Sequence, residues 1–217
     1  MAASLLPSEL KAVSSALRLV AILDGAERVG TAPLRLQTLH SIAYFTDALA
    51  PVWNLPVMNG QILKRMAPYY PTLQYDLDRL VGCGVVDVSD VAYREIEKSW
   101  VLDASYRLRY EAASNILAVA ESYPRQAAEL AFVREVVYAT AGLGLDGVDG
   151  APTVDATYSD PLIDIGGVID VDPEGAPNLS AGVALRFGSL LAGNNPLGTA
   201  EMVNLYVRHL YARLYAA

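Results

Sequence analysis

A chain of 217 residues that is 53% hydrophobic and only 18% charged, with a mean hydropathy of +0.27, is more apolar than most soluble monomers. No apolar run approaches the roughly 18–20 residues needed to cross a bilayer. The net charge is −8, and its placement is uneven. Asp146, Asp149, Asp155, Asp160, Asp164, Asp170, Asp172 and Glu174 lie in one segment without a Lys or Arg, and elsewhere the acids balance the 16 bases. That is the opposite of the clustered Lys/Arg needed to displace counterions from phosphates.

In chain order, the first expected element is a helix over residues 7–24, with Leu10, Val13, Leu17 and Val20 on one apolar stripe. Glu9, Lys11 and Arg18 interrupt the stretch where a signal peptide would be apolar, so none is expected. Gly25 and Gly30 bracket a loop. Residues 33–103 then read as helix, helix, short apolar strand and return strand. Leu39, Ile42, Phe45 and Leu49 recur at helical spacing, and Pro51 ends that helix. Leu73, Leu77, Leu80 and Val81 mark the second helix, which Gly82, Cys83 and Gly84 stop. The β-rich runs 85–91 and 98–101 form a hairpin. This order of elements is that of a winged helix, a module that binds nucleic acid or protein.

Two helices follow over 106–122 and 125–141, with Pro124 suited to the first turn of the second. Gly142, Gly144, Gly147, Gly150 and Pro152 mark a long turn-rich boundary. The acidic stretch holds a β-prone run broken by Gly166-Gly167, and helices over 179–191 and 199–215 close the chain. The last is apolar almost all round, through Met202, Val203, Leu205, Tyr206, Val207, Leu210, Tyr211, Leu214 and Tyr215. Such a helix is central to a core or sandwiched between protomers. The expected fold is mainly α (α+β): an N-terminal helix and winged-helix module over 1–105, with a short β-hairpin wing, and a helical extension over 106–217 containing the acidic segment 146–174.

Candidate chemistry is thin. The sole cysteine, Cys83, excludes an internal disulfide and a cysteine-based metal site, and is expected to be a small buried hydrophobe in a reducing, cytoplasmic setting. Asp170 with Asp172, or Asp146 with Asp149, could offer oxygens to a hard cation, but neither follows the twelve-residue calcium-loop spacing. Gly142–Gly147 is not followed by a GK[ST] motif, so nucleotide binding is not expected. His40 and Tyr44 fall one helical turn apart without a GxSxG serine or an orienting aspartate, so a satisfied histidine is expected. No catalytic, metal or cofactor residue is assigned.

Direct readout of DNA would use the second helix, whose expected outward positions are Gln74, Tyr75, Asp78 and Arg79 with Asp76 close by. Two aspartates against one arginine repel a phosphate backbone. Around the wing, Arg94, Lys98, Arg107 and Arg109 alternate with Glu95, Glu97 and Asp103. Protein docking is therefore the favoured use, and the candidate partner-binding residues are Tyr69, Tyr70, Tyr75, Arg79, Tyr206, Tyr211 and Tyr215. Tyrosine suits an interface because it joins a large apolar ring to a polar handle. The same residues suit internal packing.

The stretches LRLQTLHSIAYFTDAL, APYYPTLQYDLDRLVGCGVVDV and GNNPLGTAEMVNLYVRHLYARL together resemble the small winged-helix middle component of bacterial ABC-three-component conflict systems. More distantly, the first is similar to SocA/Panacea-type antitoxin domains, although Ala67-Pro68-Tyr69-Tyr70-Pro71 stands where their glycine would be, and Gln37 and Thr38 replace their lysine region. The first resemblance implies a non-enzymatic adaptor linking an ABC/SMC-like ATPase to an effector in antiphage or anti-plasmid defence. A winged-helix regulator or antitoxin bound to operator DNA is the alternative. A homo-oligomer is compatible with either.

Overall fold

A computed structural model describes residues 7–58, 61–96, 99–171, 177–191 and 196–216. Helix α1 (Pro7–Val29) opens the chain, followed by β1 (Leu34–Arg35), α2 (Leu36–Leu49) and a 3-10 turn, Ala50–Trp53. Next come β2 (Gln61–Lys64), β3 (Pro68–Tyr69), α3 (Pro71–Gly82) and the hairpin of β4 (Val86–Ile96) and β5 (Ser99–Leu108). Helices α4 (Tyr110–Glu121), α5 (Pro124–Ala141) and α6 (Gly144–Gly150) precede a second 3-10 turn, Ala151–Val154. Strand β6 (Val168–Asp170) and helices α7 (Leu179–Leu191) and α8 (Thr199–Tyr215) complete it. The protein is mainly α, at 63% helix, with two small antiparallel sheets ordered β1-β5-β4 and β3-β2-β6.

The centre of the molecule is α2, in which every residue from Thr38 to Leu49 is buried. Its sequence pattern suggests a single apolar stripe, but α1, α5, α6 and α7 surround it. Its polar side chains are accordingly matched from other elements, as Thr38 donates to Asp149 at 2.7 Å and Asp47 binds Arg18. One hydrophobic cluster runs from Leu19 to Leu210, and β5 passes through residue 105 to end at Leu108.

The first helix is longer than its sequence suggests. It continues through Gly25 to Val29, so Gly25 is not a loop residue. A Cβ on Gly25 would lie 3.0 Å from Val137 Cβ, so the missing side chain is what lets α1 lie against α5. Gly30, at φ +74, ends the helix in the left-handed region, with Thr31 N–H bonded to Ala26 O at 2.9 Å. Of the expected stripe, Val20 is buried and Leu17 half-buried, whereas Val13 is exposed; the Leu10 side chain lies outside the described residues.

The glycine-rich boundary is also a helix, α6, rather than a run of turns. Cβ atoms at Gly147 and Gly150 would lie 3.3 Å from the Tyr215 hydroxyl and 3.4 Å from Leu214, so these glycines admit the end of α8. Cys83 is exposed rather than buried, because α3 ends there and Leu80 and Val81 take the inward positions.

Candidate protein-docking face

The hairpin has two unlike halves. Along β5, alternate residues Leu108, Tyr106 and Ala104 are buried, and the same face continues outward to Leu102 and Trp100. Among the described residues nothing covers that outer end: Leu102 is 40% and Trp100 69% exposed. Across the ladder, Val86 pairs with Leu108 and Val88 with Tyr106, and beyond an irregularity between Ser89 and Ala92, Tyr93 pairs with Leu102 and Glu95 with Trp100. The extra residue shifts the phase of β4, so an odd-numbered tyrosine joins the face that even-numbered residues began. Asp90 takes φ 52 at this bulge. Tyr93 is 70% exposed. The outer ribbon thus presents Tyr93, Trp100 and Leu102 side by side as an extension of the core surface with no core beneath it.

The arginines around this ribbon are paired with carboxylates within the chain. Arg94 binds Asp103 at 2.7 Å and Arg35 binds the same carboxylate at 3.0 Å. Arg107 binds Glu27 at 3.0 Å, and Arg109 pairs with Asp87. That last pair holds the Asp87 carboxyl below its ordinary range. Glu95 has no ion-pair partner among the described residues, while Glu97 and Lys98 lie outside them.

Helix α3 borders the inner half. Leu73 and Leu77 are buried, and Gln74 and Asp78 face the Tyr106 hydroxyl, whose pKa is raised mainly by burial. Of the expected outward positions, Tyr75 is 65% exposed, and the Arg79 guanidinium sits 5.9 Å from its ring centroid. Asp76, in contrast, is buried. Tyr69 is half-buried, between His40 at 5.0 Å and the Arg65 guanidinium at 4.1 Å. Tyr211 and Tyr215 are exposed on α8, their rings 4.6 Å apart.

Two of the seven candidate residues do not reach the surface. Tyr70 and Tyr206 are fully buried, so neither ring is available to a partner. Tyr70 follows the short β3 and turns inward under α2, its backbone N–H donating to His40 Nδ1 at 3.2 Å. Tyr206 lies on the inward face of α8 with Val203, Val207 and Leu210. Its hydroxyl donates to Asp155 Oδ2 at 2.5 Å.

Asp155 is the polar centre of the core and 0% exposed. Besides Tyr206 it accepts from the Tyr44 hydroxyl, from Ser180 Oγ at 2.8 Å, and from the backbone N–H groups of Thr157 and Tyr158 at 2.9 and 3.0 Å. Burial and the neighbouring carboxylate push the pKa of both tyrosines up. A second buried cluster joins Arg18 to Asp47 at 2.5 Å and to Glu129 at 3.3 Å. His40 is buried and its pKa is lowered to about 4, chiefly by desolvation. These groups sit under packed side chains and bind helices to one another.

A hollow lined by Thr31, Leu34, Thr38, Val137, Thr140 and Val148 has room for about one water molecule. Among the described residues no group of three or more His, Cys, Asp or Glu side chains is placed to hold a metal ion, and no helix is long and apolar enough to cross a membrane. Asp172, paired with Asp170 in the expected cation site, lies outside the described residues, as does Glu174.

The hairpin's aromatic face was readable only in part. SWVLDASYRL alternates apolar and polar residues, which marks a strand with one apolar face. Where along that face the covering ends is set by the placement of α3 and α1. No family model, curated protein or solved structure matches the chain.

Proposed function

We propose that this chain is a cytoplasmic, non-enzymatic adaptor: a winged-helix module with a helical extension that joins an ABC/SMC-like ATPase to an effector in a bacterial defence complex. In this reading α3 and the hairpin form the docking face. The observation that carries it is the outer hairpin, where Tyr93, Trp100 and Leu102 lie uncovered in one row. Exposed aromatic residues grouped on one face are the composition of an interaction hot spot. A phosphate backbone would instead need free cations here, and Arg94, Arg107 and Arg109 are already bound to carboxylates.

Co-expression with the products of the flanking genes, followed by size-exclusion chromatography with light scattering, tests the reading. A stable complex that is lost when Tyr93 and Trp100 are changed to Ala supports it. A chain that elutes unaccompanied and retards duplex DNA in a steeply salt-dependent way overturns it in favour of a DNA-binding regulator.

A further inference from the structure

We infer that opening of the corner that carries Tyr70 and the first turn of α3 takes up one proton at His40, so that mild acid loosens this corner ahead of the rest of the fold. Tyr70 immediately precedes α3, and its backbone N–H donates to His40 Nδ1 at 3.2 Å. A neutral imidazole carries a single proton, so an accepting Nδ1 places that proton on Nε2. The ring is buried, stacked parallel to Tyr70 at 6.2 Å between centroids and flanked by Tyr69 at 5.0 Å. Beyond these two tyrosines, the groups acting on it are Gln74 of α3, which favours a charged ring, and the Arg65 guanidinium, which opposes one. Asp78 on α3 is engaged with the Gln74 amide at 2.9 Å, and among the described residues no carboxylate pairs with the ring. A proton added to Nδ1 in the closed corner would set a second donor against the Tyr70 N–H, without a carboxylate to balance the charge. The corner must part before the ring accepts it, and a wetted imidazole does so near pH 6.5. The pKa of about 4 in the closed corner leaves a wide interval in which uptake and opening are one event. Apart from Tyr70 the corner is lightly held. β3 and β2 share two residue pairs, and of the 12 residues of α3 only Leu73, Asp76 and Leu77 are buried. Segments with little buried surface open at less cost than the whole molecule.

Native-state amide exchange tests this on the intact chain. The amides of Tyr70 and Gln74, bonded to His40 Nδ1 and to Tyr70 O, report the corner, and those of Val136 and Val137 on α5 report the core. After correction for intrinsic exchange, the corner's opening constant is expected to exceed that of α5. It should also rise roughly seven-fold from pH 6 to pH 5, as uptake of one proton between pKa values of about 4 and 6.5 requires. His40→Gln should remove that rise, because an amide oxygen can accept the Tyr70 N–H but does not titrate. Imidazole 15N spectra of the unsubstituted protein add a check that needs no variant to fold. At pH 7 His40 should show an unprotonated Nδ1 and a protonated Nε2, and its contacts with the Tyr69 and Tyr70 rings distinguish its signals from those of His209. A steep corner slope confined to the unsubstituted protein, together with a proton on Nε2, supports the inference. Matching opening constants in the corner and α5 at every pH, a corner slope that survives in His40→Gln, or a proton on Nδ1 at pH 7 each overturn it.

Discussion

The hydroxyls of Tyr44 and Tyr206 meet at one carboxylate, each donating to a different oxygen of Asp155. The tyrosines stand on α2 and α8, and the acid lies in the turn after Ala151–Val154. A buried carboxylate is tolerated only when hydrogen bonds replace its lost water, and here five donors do so.

Removing one donor should therefore cost more than an ordinary hydrogen bond. Tyr206→Phe and Tyr44→Phe are each expected to destabilise by about 1.5–3 kcal/mol, the range for bonds to a charged group. The double variant should depart from the sum because both hydroxyls serve the same acceptor. Urea unfolding of the single and double variants measures this.

The Arg18 cluster gives a second, independent contrast. Arg18 and Asp47 have side chains 2% and 0% exposed, whereas Arg109 and Asp87 are about half exposed. Arg18→Met leaves Asp47 buried without its partner and should cost about 3–5 kcal/mol. Arg109→Met breaks a solvated pair and should leave the denaturation midpoint nearly unchanged. Denaturation midpoints of the two variants at equal ionic strength decide between them.

His40 predicts a pH dependence with a definite sign. Its pKa falls from 6.5 in the free residue to about 4 in the folded chain. Between those values the unfolded chain binds the extra proton, so stability is full above 6.5 and declines as pH drops toward 4. The contribution is on the order of 3 kcal/mol across the window. Chemical denaturation at several pH values should show this slope, and His40→Gln should flatten it.

Gly25→Ala tests the approach of α1 to α5. Alanine favours a helix over glycine by about 1 kcal/mol, which would stabilise an open position. Here its Cβ would sit 3.0 to 3.1 Å from three side-chain atoms of Val137, and overpacking should prevail by about 1–3 kcal/mol. Adding Val137→Ala removes the two Cγ contacts at 3.1 Å but keeps Cβ at 3.0 Å, and should return only part of that loss. Thermal unfolding of the two variants shows whether it does.

Much of the architecture could be read from local pattern. The periodic apolar residues of α2 and α3, the proline at the start of α5 and the first strand of the hairpin placed elements close to where they lie, whereas the return strand, expected over 98–101, runs on to Leu108 through the expected start of the next helix at 106. The failures are where tertiary contact overrides local chemistry. Gly25 looks like a helix stop until Val137 stands beside it, and Gly147 and Gly150 look like turns until α8 packs on α6. Tyr70 and Tyr75 are indistinguishable as residues, yet one faces α2 and the other solvent. Asp155 resembled any turn-forming aspartate, because its donors come from Tyr44, Ser180 and Tyr206, far off along the chain.

The order of those donors has a consequence for synthesis on the ribosome. Tyr44 and Asp155 emerge first and Tyr206 last, so Asp155 lacks the Tyr206 donor until α8 is clear of the exit tunnel. Premature termination before α8 would open to water the apolar surface that Val203, Tyr206, Val207 and Leu210 cover, leaving a product suited to degradation rather than to a shortened working protein.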